Sequence, residues 1–247
     1  DQNTRLPIAR LGKLLQDVPA ARLFDEILKL LMSGHSWAAI QGLQEAGLHH
    51  GLLPLLDHIL DDSENAIGAN AFVKLALANT DQRIQSGKSV SAGFLFATLL
   101  WPDLLKNWKT NLAKGMANIP ALQDAMDETI ASQSSGMTIQ RRFESDMREI
   151  WSMQPRFERR VGRYPYRLIE MPRFRAGYDF MLLRCATGEQ SPALGEWWTS
   201  FIAADPVGQE ALMASAKTEL GNTTNSPTKR RRRRKPKPTS PVETPSS

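Results

Sequence analysis

The sequence predicts an all-α protein: a multi-helix array of short antiparallel helices followed by a disordered basic C-terminal tail. Three observations carry this. Apolar residues recur at helical spacing nearly everywhere. No alternating run of β-branched residues bounded by turns occurs in the 247 residues. Glycine, proline and serine fall where one short helix would stop and the next begin.

Asp17 followed by Pro19 predicts an N-cap with proline in the first turn, and Leu23, Phe24, Ile27, Leu28, Leu30 and Leu31 supply that helix with a broad apolar face closed by Gly34. Ser36 is placed to cap the next helix, which turns Trp37, Ile40 and Leu43 inward and stops at Gly47. A further short helix is expected around Leu52 to Leu60, and the acidic stretch Asp61 to Glu64 reads as a solvated connection. Helices follow through Phe72 to Ile84, Phe94 to Trp101 and Leu104 to Lys114, with Ser86, Gly87 and Ser89 breaking the chain between the first two. Pro120 starts another, through Ile130, and the polar Ser132 to Gly136 stretch marks a boundary. Thr138 then caps a long arginine-bearing helix, which Gly162 weakens. Pro165 starts the next helix and Pro172 a third, on which Phe174, Tyr178, Met181 and Leu182 share a face. From Gly221 onward almost nothing apolar remains to offset the entropy of ordering, so this segment is expected to be disordered. The organisation expected is therefore 1–60, 61–136, 137–220 and a tail at 221–247, with no internal repeat.

A chain of this length can bury roughly 70 to 75% of its unfolded surface without staples. The single cysteine, Cys185, excludes an internal disulfide and a multi-cysteine zinc site, which suits the cytoplasm. No apolar run approaches the roughly 18 to 20 residues of a membrane span. The chain opens on Asp1 with no charged and apolar leader, which reads as a processed chain or a fragment.

The net charge of +5 conceals its distribution. Lys229 to Lys237 holds eight of the 31 basic residues, leaving 23 against 25 acids in residues 1 to 220, a net −2. Within that part, residues 141 to 184 contain 11 Arg, no Lys and 6 Asp/Glu, a net +5. Arg156, Arg159, Arg160, Arg163 and Arg167 are spaced to share one helical face if the turn at Gly162 to Pro165 is mild. Arginine is the residue for planar, multidentate phosphate contacts and for stacking. The competing reading is a solvated face paired with Glu149, Glu158 and Glu170; the arginine excess favours polyanion contact. Tyr164 is the better candidate for stacking on a base, and Tyr178 for the core.

The tail cluster Lys229, Arg230, Arg231, Arg232, Arg233, Arg234 and Lys235, with Lys237, is a strong polyanion signal that does not say which polyanion. If all eight charges met single-stranded phosphates, affinity would fall on the order of a thousandfold between about 50 and 200 mM salt. A nuclear localisation signal has the same composition.

His35, His49, His50 and His58 lack metal-site spacing. Asp62-Ser63-Glu64 is the only D-x-E, and paired carboxylates can hold magnesium for phosphoryl transfer. It falls in a predicted loop with no glycine-serine element upstream, so loop acidity is the preferred reading. No glycine-rich phosphate loop and no G-x-S-x-G element occurs. No catalytic residue and no metal ligand is assigned.

Several segments together resemble the bacterial poly(A) polymerase I family, of the same superfamily as CCA-adding enzymes. Asp17-Val18-Pro19-Ala20-Ala21-Arg22-Leu23-Phe24-Asp25-Glu26 is similar to the start of its RNA-binding neck, and Asn79-Thr80-Asp81 with Arg83 and Phe94-Leu95-Phe96-Ala97 to its body. Arg148-Glu149-Ile150-Trp151, Arg159-Arg160-Val161-Gly162-Arg163, Pro172 to Asp179 and Trp197-Trp198 resemble its arginine-rich C-terminal domain. Ala20 departs from the pattern, where a second proline is frequent. The resemblance implies an enzyme adding adenylates from ATP to RNA 3′ ends, with ATP and Mg2+ bound by a catalytic head. Motifs of that head have no counterpart here, so no cofactor is expected in this chain, which by itself is expected to be inactive.

On this reading the chain is the RNA-binding portion of a polynucleotide adenylyltransferase: neck at 1–60, body at 61–136, arginine-rich domain at 137–220 and polybasic tail. The expected RNA contacts are Arg22 and Lys29 near the head, Arg156, Arg159, Arg160, Arg163, Tyr164, Arg167, Arg173 and Arg175, and the tail from Lys229 to Lys235. Implied partners are single-stranded RNA, the protein's own head, and RNA-degradation or helicase proteins. The alternatives are the body of a CCA-adding enzyme and a non-enzymatic helical scaffold with a localisation or anion-binding tail.

Overall fold

A computed structural model describes residues 7–8, 11–48, 67–133 and 139–223. Among them every regular element is helical. A 3₁₀ turn at Gly12–Asp17 precedes α1 (Ala20–Leu31) and α2 (Ser36–Glu45). Then come α3 (Ile67–Gln85), α4 (Ala92–Leu99), α5 (Trp101–Ala113) and α6 (Asn118–Gln133). The arginine-rich part comprises α7 (Arg141–Met153), α8 (Tyr164–Ile169), α9 (Phe174–Ala186), α10 (Pro192–Ala203) and α11 (Pro206–Thr223). The helix expected around Leu52 to Leu60, the Asp61 to Glu64 connection, the Thr138 cap and the basic tail lie outside the described residues.

Several punctuation signals act as expected and others are displaced. Gly34, Gly47 and Gly87 take positive φ at the ends of α1, α2 and α3, a conformation that only glycine adopts without strain. A cap that the sequence reading does not assign comes from Ser91, which accepts the Phe94 amide of α4 at 3.3 Å. Asp17 does not cap α1: it lies in the 3₁₀ turn, and Pro19 itself is the N-cap. Ser36 does not cap α2 either. Its amide and hydroxyl donate to the Asp81 carboxylate at 2.9 to 3.0 Å, so a carboxylate on α3 satisfies the end of α2. Asn79-Thr80-Asp81 is thus a splice between helices, with Thr80 donating back to the Ala76 carbonyl and Arg83 to that of Ser89.

The interior forms two clusters. The first gathers Phe24, Leu31, Ile40, Phe72, Leu77, Phe96, Trp101, Leu122 and Trp151 from α1 through α7, and is completed by Phe180 and Leu183 of α9. The second holds Met153, Phe157, Leu168, Tyr178, Met181, Trp198 and Phe201. Phe174 stacks on Tyr178, as the predicted shared face requires. One helix therefore feeds both interiors: Phe180 stands edge-on to Trp101 at 5.1 Å while Tyr178 and Met181 face the other way.

Beneath this lies a buried polar junction. Arg184, 5% exposed, donates to Glu189 at 2.8 Å and to the Gln154 side-chain oxygen at 3.2 Å, and its guanidinium covers the Trp101 ring at 4.8 Å. The Trp101 indole donates to the other Glu189 oxygen at 2.7 Å, and the Gln154 amide to the carbonyls of Ile150 and Gly177. Every strong polar group of the junction is satisfied inside the protein.

α4 and α7 meet with little space between them. A methyl group at Gly93 would sit 2.5 Å from the Asp146 Cβ, so Gly93→Ala is expected to destabilise the fold by about 1 to 3 kcal/mol. A urea titration checks this, and an unchanged midpoint would show that the two helices separate freely.

Candidate nucleic-acid interface

The arginine stripe is not one helical face. α7 ends at Met153, and Pro155, which cannot donate a backbone hydrogen bond, stands in a 3₁₀ turn at Gln154–Arg156. The chain then runs through Arg159 and Arg160 without helix, reverses at Gly162 (φ +66°), and re-enters helix at α8, with Pro165 in its first turn as expected. The five arginines are presented by a folded turn.

Three contacts hold that turn. Phe157 is fully buried and stands edge-on to Trp198 at 5.1 Å, while the Trp198 indole donates to the Phe157 carbonyl at 2.9 Å. On the far side of the turn, Tyr166 packs against Phe201. Hydrogen bonds from the amides of Arg159 to the Arg156 carbonyl and of Arg167 to the Arg163 carbonyl tie the arginines to one another.

The predicted contacts divide by what their side chains already touch. Arg159 lies over the ring of Tyr164 at 4.9 Å, and that ring is 52% exposed. Arg156, Arg163 and Arg167 are exposed, and among the described residues none pairs with an acid; Arg156 meets only the Met171 sulfur at 3.4 Å. Arg160 is largely covered: it pairs with Glu219 of α11 at 3.4 Å and lies 5.9 Å over Trp197. Arg173 pairs with Asp146 at 2.6 Å and Arg175 with Asp179 at 3.0 Å. On α1, Arg22 is exposed, and Lys29 pairs with Glu26 at 2.8 Å. The hydrogen bond from Lys29 holds the Glu26 carboxyl below the ordinary glutamate range. Lys229, Arg230, Arg231, Arg232, Arg233, Arg234 and Lys235 lie outside the described residues.

The acids named in the competing reading, Glu149, Glu158 and Glu170, are not the ones that neutralise the stripe. Arg184, counted in the basic excess from sequence, is interior and contributes nothing to the surface charge. Its signal was its place on α9 three residues after Met181, on a helix whose neighbours are apolar. Among the described residues no three His, Cys, Asp or Glu side chains converge as metal ligands, and no helix is long and apolar enough to cross a membrane.

An exposed guanidinium resting on an exposed tyrosine, flanked by further arginines, offers both charge for phosphates and a flat face for a base. The chain is also similar to known proteins. Residues 114–237 match the family described as polymerase A arginine-rich C-terminus, and residues 1–60 the one described as probable RNA and SrmB-binding site of polymerase A. Poly(A) polymerase I of Salmonella typhimurium is 33% identical over 96% of this chain and 50% of its own length. That of Escherichia coli O157:H7 is 32% identical over the same shares, and that of Haemophilus influenzae 32% identical over 84% of this chain and 46% of its own. The chain spans about half the length of the curated relatives it matches. With both regional families matched and the identity spread over nearly all of its residues, the chain belongs to the bacterial poly(A) polymerase I family.

Proposed function

We propose that this chain holds single-stranded RNA for a polyadenylating enzyme, and that the arginine turn from Arg156 to Arg167 is its main positioned contact. The observation that carries this is the Arg159–Tyr164 stack beside Arg163 and Arg167, whose charges no acid among the described residues offsets. Arg160, Arg173 and Arg175 serve chiefly to fix the surface, since each is already paired. The tail adds a sequence-independent attraction for phosphates.

In this reading adenylate transfer, ATP and Mg2+ belong to a nucleotidyltransferase head, and RNA leaves the turn toward that head past Arg22 and Lys29. RNA-degradation or helicase partners are assigned to residues 1–60, where the matched family is described as a probable RNA and SrmB-binding site. A cytoplasmic setting accords with the single free, buried Cys185.

Neutralising three contacts tests the turn. Arg159→Gln, Arg163→Gln and Arg167→Gln together should weaken binding of a single-stranded oligonucleotide and make the slope of log affinity against log salt shallower by about 2. An unchanged slope would overturn the turn as the contact. Incubating the purified chain with ATP, Mg2+ and RNA should give no 3′ extension; extension would place catalysis in these residues.

A further inference from the structure

On the flank of the arginine turn, α6 and α7 line a groove of about 390 Å3 that shares only Arg156 with the proposed RNA contact. Leu122 and Met126 form its buried floor, and Ile119, 49% exposed, forms one apolar wall. Arg148, clipped to Asp127 at 2.6 Å, spans the two helices. Gln123 and Glu149 set amide and carboxylate groups at the rim, and Arg156 closes one end. The segment Arg148-Glu149-Ile150-Trp151 thus divides: Ile150 and Trp151 are core, whereas Arg148 and Glu149 line the groove.

We infer that this groove takes one nucleobase of the RNA strand held by the arginine turn, with the adjoining phosphate on Arg156. The inference rests on the RNA reading of the turn. A volume in the range of small-ligand clefts, an apolar floor and a few polar groups at the rim suit a flat, heterocyclic ring with hydrogen-bonding edges. Arg156 belongs to the groove and to the turn alike, its carbonyl accepting the Arg159 amide at 3.0 Å, so a strand lying on Arg159 and Arg163 reaches the groove at its next contact. Arg148 is already offset by Asp127, which leaves Arg156 as the charge available to a phosphate. An apolar peptide side chain could fill the same floor, but it would give Arg156 no anion.

The test uses the full chain with two probes, a single-stranded oligoadenylate and an abasic phosphodiester strand of equal length. Ser145→Trp and Gln123→Trp, at exposed positions on opposite walls, each fill the groove. Either should lower oligoadenylate affinity about fivefold while leaving abasic affinity and the salt slope unchanged, because base burial is lost and phosphate contacts are not. Oligoadenylate affinity unmoved by both substitutions overturns the inference. If the wild-type chain binds neither probe, the RNA reading of the turn fails and this inference with it. If it binds both equally, the phosphate contacts of the turn stand, and base burial in the groove is refuted together with base stacking on Tyr164. A urea titration of each variant confirms that the fold is retained.

Discussion

Arg184→Met should lower the unfolding free energy by about 2 to 4 kcal/mol, because it leaves the largely covered Glu189 carboxylate with only the Trp101 indole for a side-chain partner and strips the buried Gln154 oxygen of its donor. Methionine reproduces the side chain only as far as Nε, so the loss combines the missing charge and donors with the contact of the guanidinium on the Trp101 ring. Urea unfolding of wild type, Arg184→Met, Glu189→Gln and the double variant forms a cycle. The double variant should be less damaged than the sum of the singles, since neither charge is then left alone. A loss below about 1 kcal/mol for Arg184→Met would mean that water replaces the guanidinium and that the junction is open.

Trp198→Ala should cost a similar amount, about 3 to 5 kcal/mol, by emptying the centre of the second interior. Its consequence for binding is more specific. The Trp198 indole is the donor to the Phe157 carbonyl, and Phe157 anchors the turn from which Arg156, Arg159 and Arg163 project. Trp198→Phe separates the two effects, keeping most of the ring contact and removing the donor at a cost of about 1 to 2 kcal/mol. RNA affinity should fall in Trp198→Phe at temperatures where the protein is still fully folded. If affinity follows only the folded fraction, the turn is held by its own backbone and not by Trp198.

Where the sequence could be read, local chemistry decided the outcome. Gly34, Gly47 and Gly87 end their helices and Pro165 opens α8, each through a backbone preference that needs no knowledge of distant residues. The spacing of the arginines predicts one helical face only if Pro155 is left aside, and the missing amide of that residue marks where α7 stops. The arginine-rich character of residues 141 to 184 was visible, but not its division into free, paired and buried groups. Asp146 finds Arg173, Glu219 finds Arg160, and Trp101 meets Glu189 across 88 positions of sequence, pairings that only the packed helices bring about. The same holds for Asp81, whose role at the start of α2 lies 45 residues away from it.

The sharing of α9 between two interiors bears on how the chain is made. Domains emerging from a ribosome tend to fold in order from the N-terminus. Here the first interior has a vacancy until Phe180 and Leu183 arrive, although its other members end at Trp151. The early helices must therefore wait, loosely collapsed, until α9 has been synthesised, and the residue that then locks them, Arg184, is the next one in the chain.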